Sequence, residues 1–161
     1  MKQALIISAF STLGKTYLGN KYKNIFDFEA SSYKWIYNDK EIAKDIEKRK
    51  GVTDRIQNPN YPENYLKDLK KYSEKYDILL ITPEKKIRNI LKQNKIEYFI
   101  AYPIKPDFTV QRAINRGNNM YFSKGLEKTY KQWYPTEEEN ILWINEDEYL
   151  EDTLRKKGFI K

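Results

Sequence analysis

Short, wholly apolar runs alternate along the chain with longer stretches whose apolar residues recur at helical spacing. Turn-forming residues bound the apolar runs, which is typical of strands buried on both faces of a parallel sheet. Five strands are predicted, at Ala4–Ser8, Asn24–Phe28, Asp77–Ile81, Glu97–Ala101 and Ile141–Ile144.

Helices are predicted between these strands, where apolar residues follow a period of 3.6. Residues 104–135 are polar and lack strand character, so we expect a helical excursion there that forms a lid over the sheet. Strands that alternate with helices predict an α/β fold with a mainly parallel sheet and right-handed crossovers. The predicted helices run from Gly14 to about Tyr22 and over Glu41–Arg49, Pro62–Glu74, Pro83–Asn94 and Asp147–Lys157.

Length and composition limit the classes of protein to consider. A chain of 161 residues suits one domain, which we expect to span residues 1–161. No apolar run approaches the roughly 20 residues of a membrane span, so we expect a soluble, cytoplasmic protein. The chain has no cysteine and no histidine. Any catalysis must therefore rely on carboxylates, lysine, arginine, hydroxyls and backbone N–H groups.

The chain carries 30 Lys and Arg against 23 Asp and Glu, a formal charge of +7. This balance favours anionic partners such as nucleotides or nucleic acids, although a lysine-rich solvated surface explains it equally well. Trp35, close to Lys34 and Lys40, could stack on bases. A nucleotide- or nucleic-acid-binding module without turnover is therefore one alternative.

The segment Ser8–Thr16 matches the Walker A pattern at Gly14, Lys15 and Thr16, but Ala9 stands where the first glycine is usual. It follows a buried strand and begins a helix, which is where a phosphate-binding loop belongs. Lys15 would contact the β- and γ-phosphates of ATP, and Thr16 would hold Mg²⁺. The alternative is an incidental turn. The predicted nucleotide-binding residues are Ala9, Phe10, Ser11, Thr12, Leu13, Gly14, Lys15, Thr16 and Tyr17.

Two carboxylates lie at the end of the second predicted strand. Asp27 and Glu29 alternate along it and would project together from its carboxyl edge. One would hold Mg²⁺ through water, and the other would orient or deprotonate an acceptor. Ser31 and Ser32 could donate hydrogen bonds to that acceptor, although each could simply cap a turn.

The third predicted strand carries no carboxylate at its carboxyl end. Asp77 precedes the apolar part of the strand and should lie at the amino edge of the sheet. Thr82, at the carboxyl end, is neutral. Because motor-type ATPases need a carboxylate there, their mechanism is disfavoured, and Mg²⁺ would depend on Thr16, Asp27 and water.

Arginines on the predicted lid could close on phosphates. Arg112 and Arg116 are four positions apart, which places both on one helix face. Guanidinium groups bind phosphate oxygens bidentately and stabilise charge during transfer. Gly117, Asn118 and Asn119 would end the helix and form a flexible joint. Arg88 is a further candidate for an acceptor phosphate, and we assign Arg49 and Arg55 to the surface.

The order of these parts resembles the nucleoside and nucleotide kinase group of P-loop proteins. The Asp27-x-Glu29 pair is similar to the Asp-x-Asp of shikimate-kinase-like enzymes. The chain also resembles small phage- and prophage-encoded nucleotide kinases, over about residues 4–145. That narrower resemblance rests on Asp27…Ser31-Ser32, Asn58-Pro-x-Tyr-Pro-x-x-Tyr65, Tyr102-Pro103 and Arg112-x-x-x-Arg116-Gly-Asn118.

The resemblance implies a three-layer P-loop kinase-like fold with a helical lid, and transfer of the γ-phosphoryl of ATP, with Mg²⁺, to a (deoxy)nucleoside monophosphate. Its catalytic residues would be Lys15, Asp27, Glu29, Arg112 and Arg116. A hydroxyl acceptor, a nucleoside or small metabolite, is the alternative within this class. The Asp-Gly-x-Pro-Arg segment of adenylate-kinase-like enzymes is missing. The sequence leaves open whether the protein is a monomer or a homodimer.

Overall fold

Seven strands occur in the residues that the computed structural model describes, which are 3–117 and 120–161, with 120–124 described by their backbone alone. They are β1 (Leu5–Ala9), β2 (Ile25–Asp27), β3 (Trp35–Tyr37), β4 (Arg55–Gln57), β5 (Ile78–Ile81), β6 (Phe99–Pro103) and β7 (Asn140–Ile144). Five of these form one parallel sheet in the order β2-β5-β1-β6-β7. The α/β fold class and the parallel sheet are therefore confirmed.

Helices cover both faces of this sheet. They are α1 (Lys15–Lys21), α2 (Ser31–Lys34), α3 (Lys40–Ala43), α4 (Ile46–Arg49), α5 (Glu63–Ser73), α6 (Lys85–Gln93), α7 (Asp107–Asn115), α8 (Met120–Gln132) and α9 (Leu150–Lys156). Successive strand residues face opposite sides, so Ile6 packs with α5 and α6, whereas Ile7 packs with α1, α7, α8 and α9. Burying each such side chain contributes about 1.5–3 kcal/mol. The result is a three-layer arrangement.

The parallel strands direct all five carboxyl ends to one edge of the sheet. The connections that leave this edge are the loop after β1, the segment after β2, Thr82–Glu84 after β5, the start of the excursion after β6 and Asn145–Tyr149 after β7. Ligands of open α/β sheets bind at this edge, because the loops there leave a crevice. A ligand site is therefore expected at this edge of the sheet.

The region between β2 and α5 differs from the prediction. Two short strands, β3 and β4, pair antiparallel with Ile36 opposite Ile56. Strands of three residues are too short to produce a recognisable alternation. The helix predicted over Glu41–Arg49 is two helices, α3 and α4, because the side chain of Asp45 accepts hydrogen bonds from the backbone N–H groups of Glu47 and Lys48 and so starts a new helix.

The excursion at 104–135 contains two helices, α7 and α8, as the prediction of helical structure requires. Gly117 follows α7 with φ 84°, a conformation that suits glycine after a helix. Asn118 and Asn119, predicted as part of a flexible joint, lie outside the described residues. In the part of the chain that the structure describes, no helix is long and apolar enough to cross a membrane.

Candidate functional site

The predicted phosphate-binding loop joins the carboxyl end of β1 to α1. Its backbone passes through two left-handed residues, Thr12 with φ 67° and Gly14 with φ 96°. Residues that carry a side chain rarely adopt the backbone conformation of Gly14, so the turn requires glycine there. Lys15 folds back across the loop, and its Nζ donates a hydrogen bond to the carbonyl oxygen of Ala9 at 2.8 Å. Burial lowers the pKa of Lys15, while the carboxylates of Asp27 and Glu29 oppose this shift.

Ala9 occupies the position of the first glycine in the Walker A pattern. It is the last residue of β1, pairs with Ala101 of β6 and is fully buried. Because its backbone is extended, the position does not need glycine. Phe10 is also buried, and its ring packs edge-on against Tyr102. Ala9 and Phe10 therefore belong to the core, whereas the other predicted nucleotide-binding residues, 11–17, line a cleft at the carboxyl edge.

Thr16 and Asp27 meet where α1 passes the end of β2. The hydroxyl of Thr16 donates a hydrogen bond to Asp27 Oδ2 at 3.1 Å. Gly19, one turn later on α1, allows this approach: a Cβ there would lie 3.1 Å from the Asp27 Cβ and 3.3 Å from its backbone nitrogen. Burial raises the pKa of Asp27, while Lys15 and the Thr16 hydrogen bond oppose the shift. The sequence analysis missed Gly19, because nothing local shows which strand a helix will touch.

The Thr16–Asp27 pair fits the chemistry of Mg²⁺. This ion prefers hard oxygen ligands, uses one or two protein groups and completes its octahedron with water and phosphate oxygens. Among the described residues no group of three or more Asp, Glu, His or Cys side chains could hold a metal ion by itself. Thr16 and Asp27 would therefore hold Mg²⁺ only together with a bound nucleotide.

Glu29 lines the cleft with Asp27, but its carboxylate is already engaged. Oε1 accepts from the backbone N–H of Ser31 at 2.8 Å, and Oε2 accepts from the Ser31 hydroxyl at 2.7 Å and from Arg49 at 3.0 Å. The assignment of Arg49 to the surface is wrong, because its side chain is buried against Ser31 and the carbonyl oxygen of Ala43.

Ser32 is exposed and does not line the cleft.

Arg112 and Arg116 both line this cleft, as their spacing predicts. Arg112 donates to the carbonyl oxygen of Thr12 at 3.2 Å, and to those of Glu146 and Glu148 at 3.0 and 2.6 Å. Its guanidinium lies 3.9 Å from the ring centroid of Tyr149. Burial lowers its pKa. Arg112 thus ties the loop after β1 to the segment after β7, while Arg116 is exposed at the end of α7.

Arg88 does not reach the cleft, contrary to the prediction that it binds an acceptor phosphate. It is fully buried, and its Nη1 donates to both carboxylate oxygens of Glu139 at 3.1 Å. Its Nη2 donates to the carbonyl oxygen of Trp133. Burial lowers the pKa of Arg88, and Glu139 opposes this. Arg88 therefore holds the chain at Trp133.

The sequence analysis also missed a polar group beside the carboxyl end of β5. Glu84 is buried, and its carboxylate accepts hydrogen bonds from Lys34 at 2.7 Å, from Thr82 at 3.1 Å and from the hydroxyl of Tyr61. A carboxylate thus does follow this strand, two residues beyond the neutral Thr82. The signal in the sequence was its position shortly after a buried strand, but Pro83 lies between and was predicted to begin the helix.

One cleft of about 1500 Å³ is lined by the loop after β1, by Asp27, Glu29 and Glu84, and by Arg112 and Arg116. It runs between the loop after β1, the carboxylates after β2, the arginines of the excursion and the β3–β4 hairpin. Sites for one small ligand commonly measure about 300–1,000 Å³, so this cleft has room for two. Its wall carries cations, oxygen ligands and aromatic rings together.

No protein-family model matches the chain, and no curated protein matches it.

Proposed function

We propose that the protein is an ATP-dependent phosphotransferase of the P-loop nucleotide-kinase kind, which passes the γ-phosphoryl group of ATP to a nucleoside monophosphate. One observation carries the proposal. Lys15 folds back across the loop after β1, in which Thr12 and Gly14 have left-handed backbone conformations, and the neighbouring Thr16 hydroxyl lies 3.1 Å from Asp27 Oδ2. A lysine, a backbone loop and two oxygen ligands at the carboxyl edge are what ATP with Mg²⁺ needs.

In this reaction an acceptor oxygen attacks the γ-phosphorus, the bond from that phosphorus to the β,γ-bridging oxygen breaks, and ADP leaves. Catalysis of such a step is mainly positioning and charge neutralisation, so a chain without histidine or cysteine can perform it. Lys15 would leave the Ala9 carbonyl and donate to the β- and γ-phosphates. Arg116, exposed on the opposite wall, would neutralise charge on the transferring group. Mg²⁺, when bound with ATP, supplies charge neutralisation at the phosphate oxygens.

The hydrogen bonds that Glu29 already accepts favour a phosphate acceptor over a hydroxyl acceptor. A hydroxyl acceptor needs a general base within hydrogen-bonding reach. The Glu29 oxygens instead accept from Ser31 and Arg49, and Asp27 accepts from Thr16. A monophosphate oxygen is already anionic and needs no base. The cleft is also large enough for two nucleotides.

A coupled assay of ADP release tests the proposal. The protein is incubated with ATP and Mg²⁺ and with one candidate acceptor at a time: nucleoside monophosphates, nucleosides or small sugars. We expect ADP release with at least one monophosphate and none above background with nucleosides. Release with nucleosides alone would replace the monophosphate by a hydroxyl acceptor. Binding of ATP without release under any acceptor would contradict the transfer itself.

A further inference from the structure

The cleft contains a second group of side chains that phosphoryl transfer by itself does not need. The ammonium of Lys34 lies 5.5 Å from the ring centroid of Trp35 and 5.9 Å from that of Trp133. It also forms an ion pair with Glu84 at 2.7 Å. All four side chains line the cleft, on the side of the carboxyl ends of β2 and β5. Two indoles thus border one largely buried ion pair.

Contacts within the protein hold the ring of Trp35 and the backbone of Trp133. Trp35 lies on β3, where it pairs with Gln57, and the guanidinium of Arg55 lies 3.8 Å from its ring centroid. The carbonyl oxygen of Trp133 accepts a hydrogen bond from Arg88, whose own ion pair with Glu139 is buried. Aromatic walls that are fixed before binding lower the entropic cost of accepting a planar ligand. A flat aromatic ring is the ligand that such walls favour.

The polar groups at this end of the cleft offer mainly hydrogen-bond donors to a ligand. The carboxylate of Glu84 accepts from Lys34, Thr82 and Tyr61, so its acceptor capacity is largely used within the protein. The Lys34 ammonium has three N–H donors, of which one is directed to Glu84. Each indole adds an N–H donor and no acceptor. A ligand ring with a carbonyl oxygen on its edge complements this set.

We propose that Lys34, Trp35, Glu84 and Trp133 form the base subsite of the acceptor, and that it selects a base with a ring carbonyl. The base lies between or against the indoles, and Lys34 donates to its carbonyl oxygen. Adenine is the common base without a ring carbonyl, so adenosine and deoxyadenosine monophosphates are poor acceptors. This inference rests on the proposed function, because it names the acceptor of that transfer.

Tryptophan fluorescence provides the test, since the chain has three tryptophans and the third, Trp143, does not line the cleft. In a Trp143→Phe background, dGMP, dTMP, dAMP and 2-deoxyribose 5-phosphate are titrated without ATP. We expect dGMP or dTMP to change the fluorescence with an affinity at least about tenfold above that of dAMP. The sugar phosphate, which lacks a base, should bind weakest. Equal binding of dAMP, or of the sugar phosphate, would overturn the base subsite.

Variants separate the subsite from the fold. Trp133→Ala and Lys34→Met should each weaken binding of the preferred mononucleotide about tenfold or more. Affinity for a fluorescent ATP analogue should stay within about twofold, which also reports that the protein has folded. Lys131→Ala, an exposed lysine on α8 that does not line the cleft, is the matched control. Unchanged mononucleotide affinity in both subsite variants would contradict the assignment.

The two proposals fail differently. ADP release with an acceptor that has no base would overturn the base subsite and leave the phosphoryl transfer intact. Selective binding of dGMP or dTMP with no ADP release would overturn the transfer and support the subsite as a nucleotide-binding site.

Discussion

The guanidinium of Arg49 lies 3.0 Å from Glu29 Oε2 and brings the end of α4 against the segment that follows β2. Its Nε donates to the Ser31 hydroxyl at 2.7 Å, and its Nη1 donates to the carbonyl oxygen of Ala43 at 2.7 Å. One side chain therefore fixes Glu29, Ser31 and the α3–α4 pair relative to one another. It also determines which carboxylate of the cleft remains available for chemistry.

Replacing Arg49 by alanine should destabilise the protein. The change removes one of the donors to the Glu29 carboxylate and the Arg49 donors to the Ser31 hydroxyl and the Ala43 carbonyl. Leaving buried polar groups without a partner costs about 1–3 kcal/mol. The free energy of unfolding from urea titration measures this. Lys44→Ala removes an exposed ion pair with Glu41 at 3.7 Å and is the matched control, with an expected change below about 0.5 kcal/mol. An Arg49→Ala variant as stable as this control would show that the three hydrogen bonds are unimportant.

Gly19→Ala should be destabilising although alanine is the better helix former. Alanine gains about 1 kcal/mol in helix propensity, but its Cβ would lie 3.1 Å from the Asp27 Cβ and 3.3 Å from a backbone nitrogen of β2. Overpacking against sheet backbone costs about 1–3 kcal/mol and should separate Thr16 from Asp27. We expect lower stability and a higher Mg²⁺ concentration for half-maximal ADP release.

Gly125 supplies the comparison for stability. It lies on α8, and a Cβ there would meet nothing within 4 Å. Gly125→Ala should therefore raise the free energy of unfolding, by up to about 1 kcal/mol. If Gly19→Ala were equally stabilising, α1 and β2 would not be in the close contact described above.

Much of this arrangement follows from the sequence. The runs Ile78–Ile81 and Leu5–Ala9 are nearly continuous in apolar residues because both faces of those strands are buried. The phosphate-binding loop could be predicted because Gly14, Lys15 and Thr16 follow the first of these apolar runs along the chain. Asp27 could be placed at the carboxyl edge because strand direction in a parallel sheet fixes which end meets the loop.

The long-range contacts could not be predicted in this way. Lys34 approaches Trp133 only because the excursion folds back over the sheet. The inward direction of Arg88 does follow from the sequence, because Arg88 lies one position after Ile87 and three before Leu91, which are apolar positions of the same helix. What the pattern could not supply was the partner, Glu139, which lies far along the chain.

Asp27→Asn should stabilise the protein at neutral pH. Burial raises the pKa of Asp27 in the folded state, so folding disfavours its ionised form. The stabilising contribution of that carboxyl is fully present below the unfolded value of about 3.9 and is lost as pH rises through the raised folded pKa. Asparagine remains neutral throughout. Its advantage over aspartate should therefore appear above the folded pKa and vanish at low pH.

Urea unfolding of the wild type and Asp27→Asn at pH 7 and near pH 3.5 measures the difference. The same variant should lose Mg²⁺-dependent ADP release at pH 7, because a carboxylate ligand is replaced by an amide. A variant that is less stable than the wild type at pH 7 would indicate that the ionised carboxylate is stabilising, opposite to the direction of its pKa shift.

Lys15→Met should slow transfer by about 10²–10³ while leaving the fold in place. The Lys15 ammonium lies folded across the loop, where it donates to the carbonyl oxygen of Ala9. Removal of one preorganised donor from charge developing in a transition state costs about 10²–10³ in rate. Its burial already lowers its pKa, so loss of the charge should not reduce stability at neutral pH. Single-turnover ADP formation measures the rate, and urea unfolding measures the stability. Lys23→Ala, an exposed lysine just beyond α1, should match the wild type in both. Retention of more than about a tenth of the wild-type rate in Lys15→Met would place the reacting phosphate elsewhere in the cleft.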